Sequence, residues 1–152
     1  MKVKLITVGK TRQRYISEGL TEYLKKLGHY LKFEYIEIPD VAAGNAQVET
    51  EGKKLLARIS PDDFVVLLDE GGQEYSSVEF SRFLQKKMNA GTKCMVMLIG
   101  GPFGFSNDVI ARGDMKLSFS KMTFNHEMIR IFVLEQLYRA HTIIKGEPYH
   151  HA

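Results

Sequence analysis

The sequence predicts an α/β fold, a mostly parallel sheet flanked by helices. Three observations carry that expectation. Apolar runs of strand character alternate along the chain with stretches of helical periodicity. Two of those runs, DFVVLLD (63–69) and KCMVMLIG (93–100), lack polar alternation, as central parallel strands covered on both faces do. A length of 152 residues, 44% of them apolar, suits one domain over 1–152 with a single core.

Each element has its own signal. VKLITVG (3–9) reads as a strand. Residues 12–27 place Ile16, Leu20, Tyr23, Leu24 and Leu27 on one helical face. KFEYIEIP (32–39) is a strand ended by Pro39, and 40–46 is a loop. Residues 47–59 carry Val48, Leu55, Leu56 and Ile59 at helical spacing. Pro61 and Asp62 turn the chain into the strand 63–69, and EGGQEY (70–75) reads as a loop. Ser76 and Glu79 match a capping box, followed by Phe80, Phe83, Leu84 and Met88. After the strand 93–100, Ser106 is a candidate N-cap for a short helix at 107–113. A short strand or extended loop at 115–120 precedes a long helix at 126–145 and the tail GEPYHHA.

Ligands of such sheets bind beyond the carboxyl ends of the strands. Here those ends are 69–72, 100–105 and 118–124. The second is part of LIGGPFGF (98–105), where three glycines follow a buried run. Either a tight turn or a close approach to the backbone needs them. Other motifs fail. VGKT (8–11) lacks the glycine that a P-loop requires at position 4, which is lysine. GGPFG is not G-x-G-x-x-G and follows a late strand. HEMIR (126–130) has arginine where a zinc protease needs its second histidine. His150 and His151 lack further ligands, so no metal is expected.

The long helix shows two apolar stripes. Ile129, Phe132, Val133, Leu137, Ala140, Ile143 and Ile144 form the broad one; Ile131, Leu134 and Tyr138 form the narrow one. A surface helix needs one stripe, so the second is expected under a partner subunit in a two-fold dimer, with loops as the alternative cover. Arg130, Glu135 and Arg139 lie among these apolar residues; Glu135 and Arg139 are spaced for an ion pair, and an arginine here could instead reach phosphate.

A net charge of +3 permits a nucleic-acid partner without demanding one, and Lys10, Arg12 and Arg14 are the candidate phosphate contacts. A lone cysteine, the absence of a signal-peptide pattern and the lack of any apolar run near ~20 residues lead to the expectation of a cytoplasmic protein without a membrane partner.

KVKLITVGK, LIGGPFGF and LSFSKMTFNHEMIRIFVLEQLYRAHTIIKGEPYH together resemble the ribosomal RNA large subunit methyltransferase H family of SPOUT methyltransferases, over essentially the whole chain. SFSKMT, EQLYRA and PYH, in that order, are the most specific part. The resemblance implies an α/β sheet with a trefoil knot in its C-terminal half, a homodimer, and S-adenosylmethionine as cofactor. It implies N3-methylation of a pseudouridine in helix 69 of 23S rRNA on the assembled 70S ribosome. Carried over, the cofactor contacts are Leu68, Gly100 and the stretch Ser120, Lys121, Met122, Thr123, Phe124 and Asn125, with Gly101 and Gly104 allowing the backbone approach. Phe103 stands where the family often has a small or polar residue or Glu.

For the chemistry implied by the resemblance, a cation favours a deprotonated imide, and Arg139 or His150 could supply it. His150 could instead be the base, and Tyr149 could stack on the substrate base or hydrogen-bond to it. Lys10, Arg12 and Arg14 would hold phosphates. Two rivals share much of this pattern: a flavodoxin-like nucleotide binder, for which GKTRQR is a poor phosphate loop, and a non-catalytic ribosome-binding factor.

Overall fold

The structure, a computed structural model, describes residues 1–151. Five parallel strands form one sheet in the order β2-β1-β4-β3-β5: β1 (Lys2–Val8), β2 (Phe33–Ile38), β3 (Phe64–Glu74), β4 (Cys94–Ile99) and β5 (Met115–Ser118). The helices are α1 (Arg14–Leu27), α2 (Gln47–Leu56), α3 (Ser77–Asn89), α4 (Asn107–Arg112) and α5 (Met128–Lys145). The α/β sheet expected from the sequence is therefore present.

Period-2 alternation sorts the strands onto two faces. Val3, Leu5, Val66, Met95, Met97 and Leu117 face α1, α3 and α5, where they meet Ile16, Leu20, Phe80, Leu84, Val133 and Leu137. Ile6, Val8, Val65, Leu67, Val96 and Leu98 face α2 and α4, meeting Leu55 and Val109. The continuous apolar runs of β3 and β4 follow from this double cover. Fully burying each such side chain contributes about 1.5–3 kcal/mol.

Both expected caps form. Ser76 accepts from the Glu79 amide at 3.2 Å while Glu79 accepts from the Ser76 amide at 2.7 Å. Ser106 accepts from the Val109 amide at 3.3 Å. At the other end of α5, Gly146 at φ +70° makes a left-handed cap, and the Glu147 amide donates to the Thr142 carbonyl at 2.9 Å.

Two readings of the sequence need correction. Residues 70–74, expected as loop, continue β3, whose pairing with β5 slips between Leu68 and Gln73. A Cβ on Gly72 would lie 2.7 Å from the Leu117 nitrogen, so glycine here admits the neighbouring strand and does not end β3. The narrow stripe of α5 also lies against its own chain. Leu134 is fully buried, Ile131 packs on Gly19 of α1, and Tyr138 sits 6.3 Å from Tyr23 and 4.7 Å from Tyr149, ring to ring. No partner subunit is needed to cover it.

Candidate cofactor cleft and basic rim

Because β4 pairs with β3 and β3 with β5, the loops after these three strands rise side by side. Between them and the start of α5 lies a cleft of about 420 Å³, in the range of small-molecule sites. Leu68, Gly100, Gly101, Gly104, Ser120, Met122, Thr123, Phe124 and Asn125, all expected there, line it; Lys121 does not. Asp69, Glu70 and Phe119, within the expected strand-end stretches 69–72 and 118–124, line it as well. Leu117, His126 and Ile129 line it too and were missed, with no signal beyond adjacency.

The glycines serve three different needs. Gly104, at φ +80° with open space around it, takes a backbone shape that other residues resist. Gly101 lies over the carboxylate of Glu51, a residue 4% exposed, and a Cβ would collide with it. A Cβ on Gly100 would crowd Phe105 at 3.2 Å and the Gly104 carbonyl at 3.3 Å. The Gly104 amide closes the turn on the Gly101 carbonyl at 3.1 Å.

In the second loop, side chains shape the backbone. Ser118 Oγ donates to the Ser120 carbonyl at 2.9 Å, and Ser120 Oγ accepts from the Met122 amide at 3.0 Å. Asn125 Oδ1 accepts from the Glu127 amide at 2.8 Å, stabilising the entry to α5. Phe124 stacks at 5.0 Å on Phe132, both about two-fifths exposed.

The tail forms a second cluster. Turned back by Gly146, Tyr149 donates to Glu135 Oε1 at 3.1 Å, and Arg139 donates to the same oxygen at 2.6 Å. Arg139 Nη1 lies 3.1 Å from His150 Nδ1 and the guanidinium sits over the Tyr149 ring. The three catalytic candidates thus meet around Glu135, whose expected pair with Arg139 forms. None of them lines the cleft. Arg139 is ten residues beyond Ile129, about 15 Å along the helix axis.

The basic residues occupy the turn between β1 and α1. Lys10 is exposed, with no ion pair among the described residues. Arg12 pairs with Asp40 at 2.6 Å and Arg14 with Glu18 at 3.0 Å, exposed pairs of little strength.

Residues 1–150 match the family described as "Predicted SPOUT methyltransferase". The chain belongs to the SPOUT methyltransferase family. Proteins named ribosomal RNA large subunit methyltransferase H are 51% identical in Porphyromonas gingivalis (99% of each chain), 49% in Cytophaga hutchinsonii (99% of this chain, 100% of the relative) and 42% in Carboxydothermus hydrogenoformans (99% of each). A probable methylase family protein from Haemophilus influenzae, 11% identical, shares the fold at a TM-score of 0.58, covering 99% of this chain and 70% of its own.

The electrostatics of this SPOUT methyltransferase separate its two clusters. The cleft rim carries two carboxylates, Asp69 and Glu70, against apolar walls. In the tail, the hydrogen bonds to Glu135 raise Arg139 above the usual guanidinium value and keep it charged. Burial pushes the Tyr149 hydroxyl up, helped by Tyr23 and the Glu135 charge, so it stays a donor. Arginine only donates, so His150 Nδ1 must accept, which leaves the proton of a neutral ring on Nε2. That tautomer can donate from Nε2 but cannot accept there.

Proposed function

We propose that this chain methylates 23S rRNA, using S-adenosylmethionine to modify N3 of a pseudouridine in helix 69 on the assembled 70S ribosome. The chain acts in the cytoplasm as a single domain over 1–152 with the family's C-terminal trefoil knot. The observation that carries the reading is the glycine-walled cleft at the strand ends, in a chain 51% identical over its length to a named large subunit methyltransferase.

The cleft suits this cofactor. It has the size for an adenosyl group, apolar walls from Leu68, Leu117 and Ile129, and main-chain groups at 100–104 for a purine edge. Asp69 and Glu70 complement a cationic ligand. S-adenosylmethionine supplies an electrophilic methyl group. The protein's part is to orient the acceptor, exclude water and stabilise charge. An imide nitrogen attacks as its anion, and Arg139, fixed by Glu135, is the cation that favours that form. The Nδ1 contact favours His150 as a donor beside Arg139 over His150 as the base. Tyr149, half-buried under Arg139 with its hydroxyl donating to Glu135, supports that cation from below.

Arg139, on which the tail packs, is about 15 Å along α5 from Ile129 of the cleft in one chain. The reading therefore has the partner's tail completing each cleft in a homodimer. The outward face of α5 supports this, being apolar at Met128 and Phe132 and polar at Glu135 and Arg139. Two such faces meeting antiparallel about a two-fold axis set each polar end beside the other's apolar end.

The test offers purified protein and methyl-labelled S-adenosylmethionine to 70S ribosomes and 50S subunits that lack the modification, then maps label by nuclease digestion and mass spectrometry. Label at N3 of one pseudouridine, on 70S in preference to 50S, is expected. Cofactor binding without label would point to a different acceptor or to a binding factor. No cofactor binding would overturn the reading of the cleft.

A further inference from the structure

The start of α5 touches two places at once. Asn125, His126 and Ile129 line the cleft, while Glu127 and Arg130 point away from it into the turn between β1 and α1. Arg130 is fully buried and spends its donors on that turn and its supports: the Val8 carbonyl at 3.0 Å, Thr11 Oγ1 at 2.7 Å and Glu37 Oε2 at 3.1 Å. Thr11 and Tyr35 both donate to the same carboxylate of Glu37. Glu127, 6% exposed, accepts from the Arg12 amide at 2.6 Å and the Gln13 amide at 3.0 Å.

The Glu127 contact is unusual because α1 lacks a local cap. Gln13 makes no side-chain cap bond and the first turn holds no acidic residue. A carboxylate from 114 residues away in sequence instead takes the amides of Gln13, the N-cap, and of Arg12 before it. A turn bearing Lys10 and Arg12 is thus held from inside by buried groups, with its cations outside. A stability role alone is served by a local Ser or Asp cap, whereas a clasp from the cleft-lining segment fixes where those cations stand relative to the cleft.

We infer that Glu127 is a positioning residue for polyanion binding: it clasps the turn 10–13 to the cleft-lining start of α5, so that Lys10 and Arg12 meet acceptor phosphates in register with the reacting base. The exposed Asp40 partner of Arg12 does not prevent this, since such a pair yields readily to phosphate. The inference rests on the rRNA reading above.

The test compares Glu127→Ala, Glu127→Gln, Lys10→Ala and the double variant Lys10→Ala/Glu127→Ala, all full-length. Ribosome KM and kcat, ribosome binding against salt, and S-adenosylmethionine affinity by calorimetry are measured for each. Glu127→Ala should raise ribosome KM roughly tenfold, the scale of lost charge-assisted hydrogen bonds, with cofactor affinity within about twofold. Glu127→Gln, whose carbonyl still accepts an amide, should recover much of the loss. Lys10→Ala should reduce the salt slope by about 1 in the wild-type background and by less in Glu127→Ala. An unchanged KM, a parallel loss of cofactor affinity, or fully additive effects of Lys10 and Glu127 would each overturn the assignment. If wild-type protein neither binds nor methylates ribosomes, the rRNA reading and the polyanion role both fall. Amide exchange at Arg12 and Gln13 then still decides whether Glu127 holds the turn: faster exchange in Glu127→Ala supports the clasp, and unchanged exchange removes it.

Discussion

At the scale of single residues, the glycine loop shows one residue type meeting different demands. For Gly104 the demand is backbone conformation, with space for a side chain, so Gly104→Ala should cost about 1 kcal/mol and Gly104→Asn less. For Gly101 the demand is room, because the buried Glu51 carboxylate lies under it, held by Gln47 at 3.1 Å. Gly101→Ala should destabilise by about 1–3 kcal/mol as an overpacked site and weaken S-adenosylmethionine binding by lifting the loop. Shortening the obstacle with Glu51→Asp should recover part of both losses, whereas Glu51→Asp should not rescue Gly104→Ala. Denaturant unfolding and calorimetry read both, and equal rescue of the two variants would refute the distinction. The sequence made the loop's importance legible through three glycines after a buried strand. It could not show which glycine faces Glu51, since that contact joins positions 50 apart through the packing of α2. The same holds for Arg130, whose partners Val8, Thr11, Tyr35 and Glu37 are assembled by the pairing of β1 with β2.

At the scale of elements, periodicity located the longer helices and strands, the Ser106 cap located α4, and the reading faltered where one pattern has two physical causes. The narrow stripe on α5 could face a partner subunit or another helix of its own chain, and α1 turned out to cover it because Gly19 admits Ile131. Similarly, EGG after β3 reads as a loop, yet glycine also permits the bulge that carries β3 past β5. His141 of α5 went unassigned for a related reason: helical spacing says nothing of whether a histidine is wet. His141 is in fact buried, bonded through Nδ1 to the Leu137 carbonyl at 2.9 Å, with the Tyr30 ring edge-on. Burial lowers its pKa below the ordinary imidazole value of 6.5, and the Lys145 ammonium one turn on adds to this. A depressed folded-state value means that protons bind the unfolded chain more readily. The stability this contributes is complete above about pH 6.5 and is lost as pH falls through the folded-state value. Melting temperature should therefore be level near neutrality and decline on acidification below about 6.5, before the lowered carboxyls of Glu37 and Glu127 begin to protonate. His141→Gln should flatten the upper part of that decline. The same slope with and without His141 would assign the decline elsewhere.

At the scale of the whole molecule, the question is how one chain can hold a cofactor cleft at one end of α5 and a cluster of Arg139, Tyr149 and His150 at the other. The tail is not free to swing across. Gly146 turns it, Glu147 accepts from Tyr30, whose hydroxyl is pushed up to about 12 chiefly by that bond, and Tyr149 is pinned between Tyr138 and Glu135. Under the proposed function, a tail held this way at the far end of α5 would serve a neighbour's cleft. Lesions then combine in a way that depends on which chain carries them. Heterodimers isolated by two different affinity tags settle the matter. With Gly101→Ala in one chain and Arg139→Ala in the other, a site shared across the dimer leaves one of two centres with both lesions and the other with none. Activity should then be about half that of wild type, although both centres of each parent homodimer carry a lesion. With both substitutions in one chain and wild type in the other, every shared centre carries one lesion and activity should fall to the level of the impaired parents. If each tail served its own cleft, the two results would exchange: the first heterodimer would be as impaired as the parents and the second about half active. The two arrangements thus predict opposite outcomes from the same pair of preparations, and a small loss of stability in either variant cannot convert one pattern into the other.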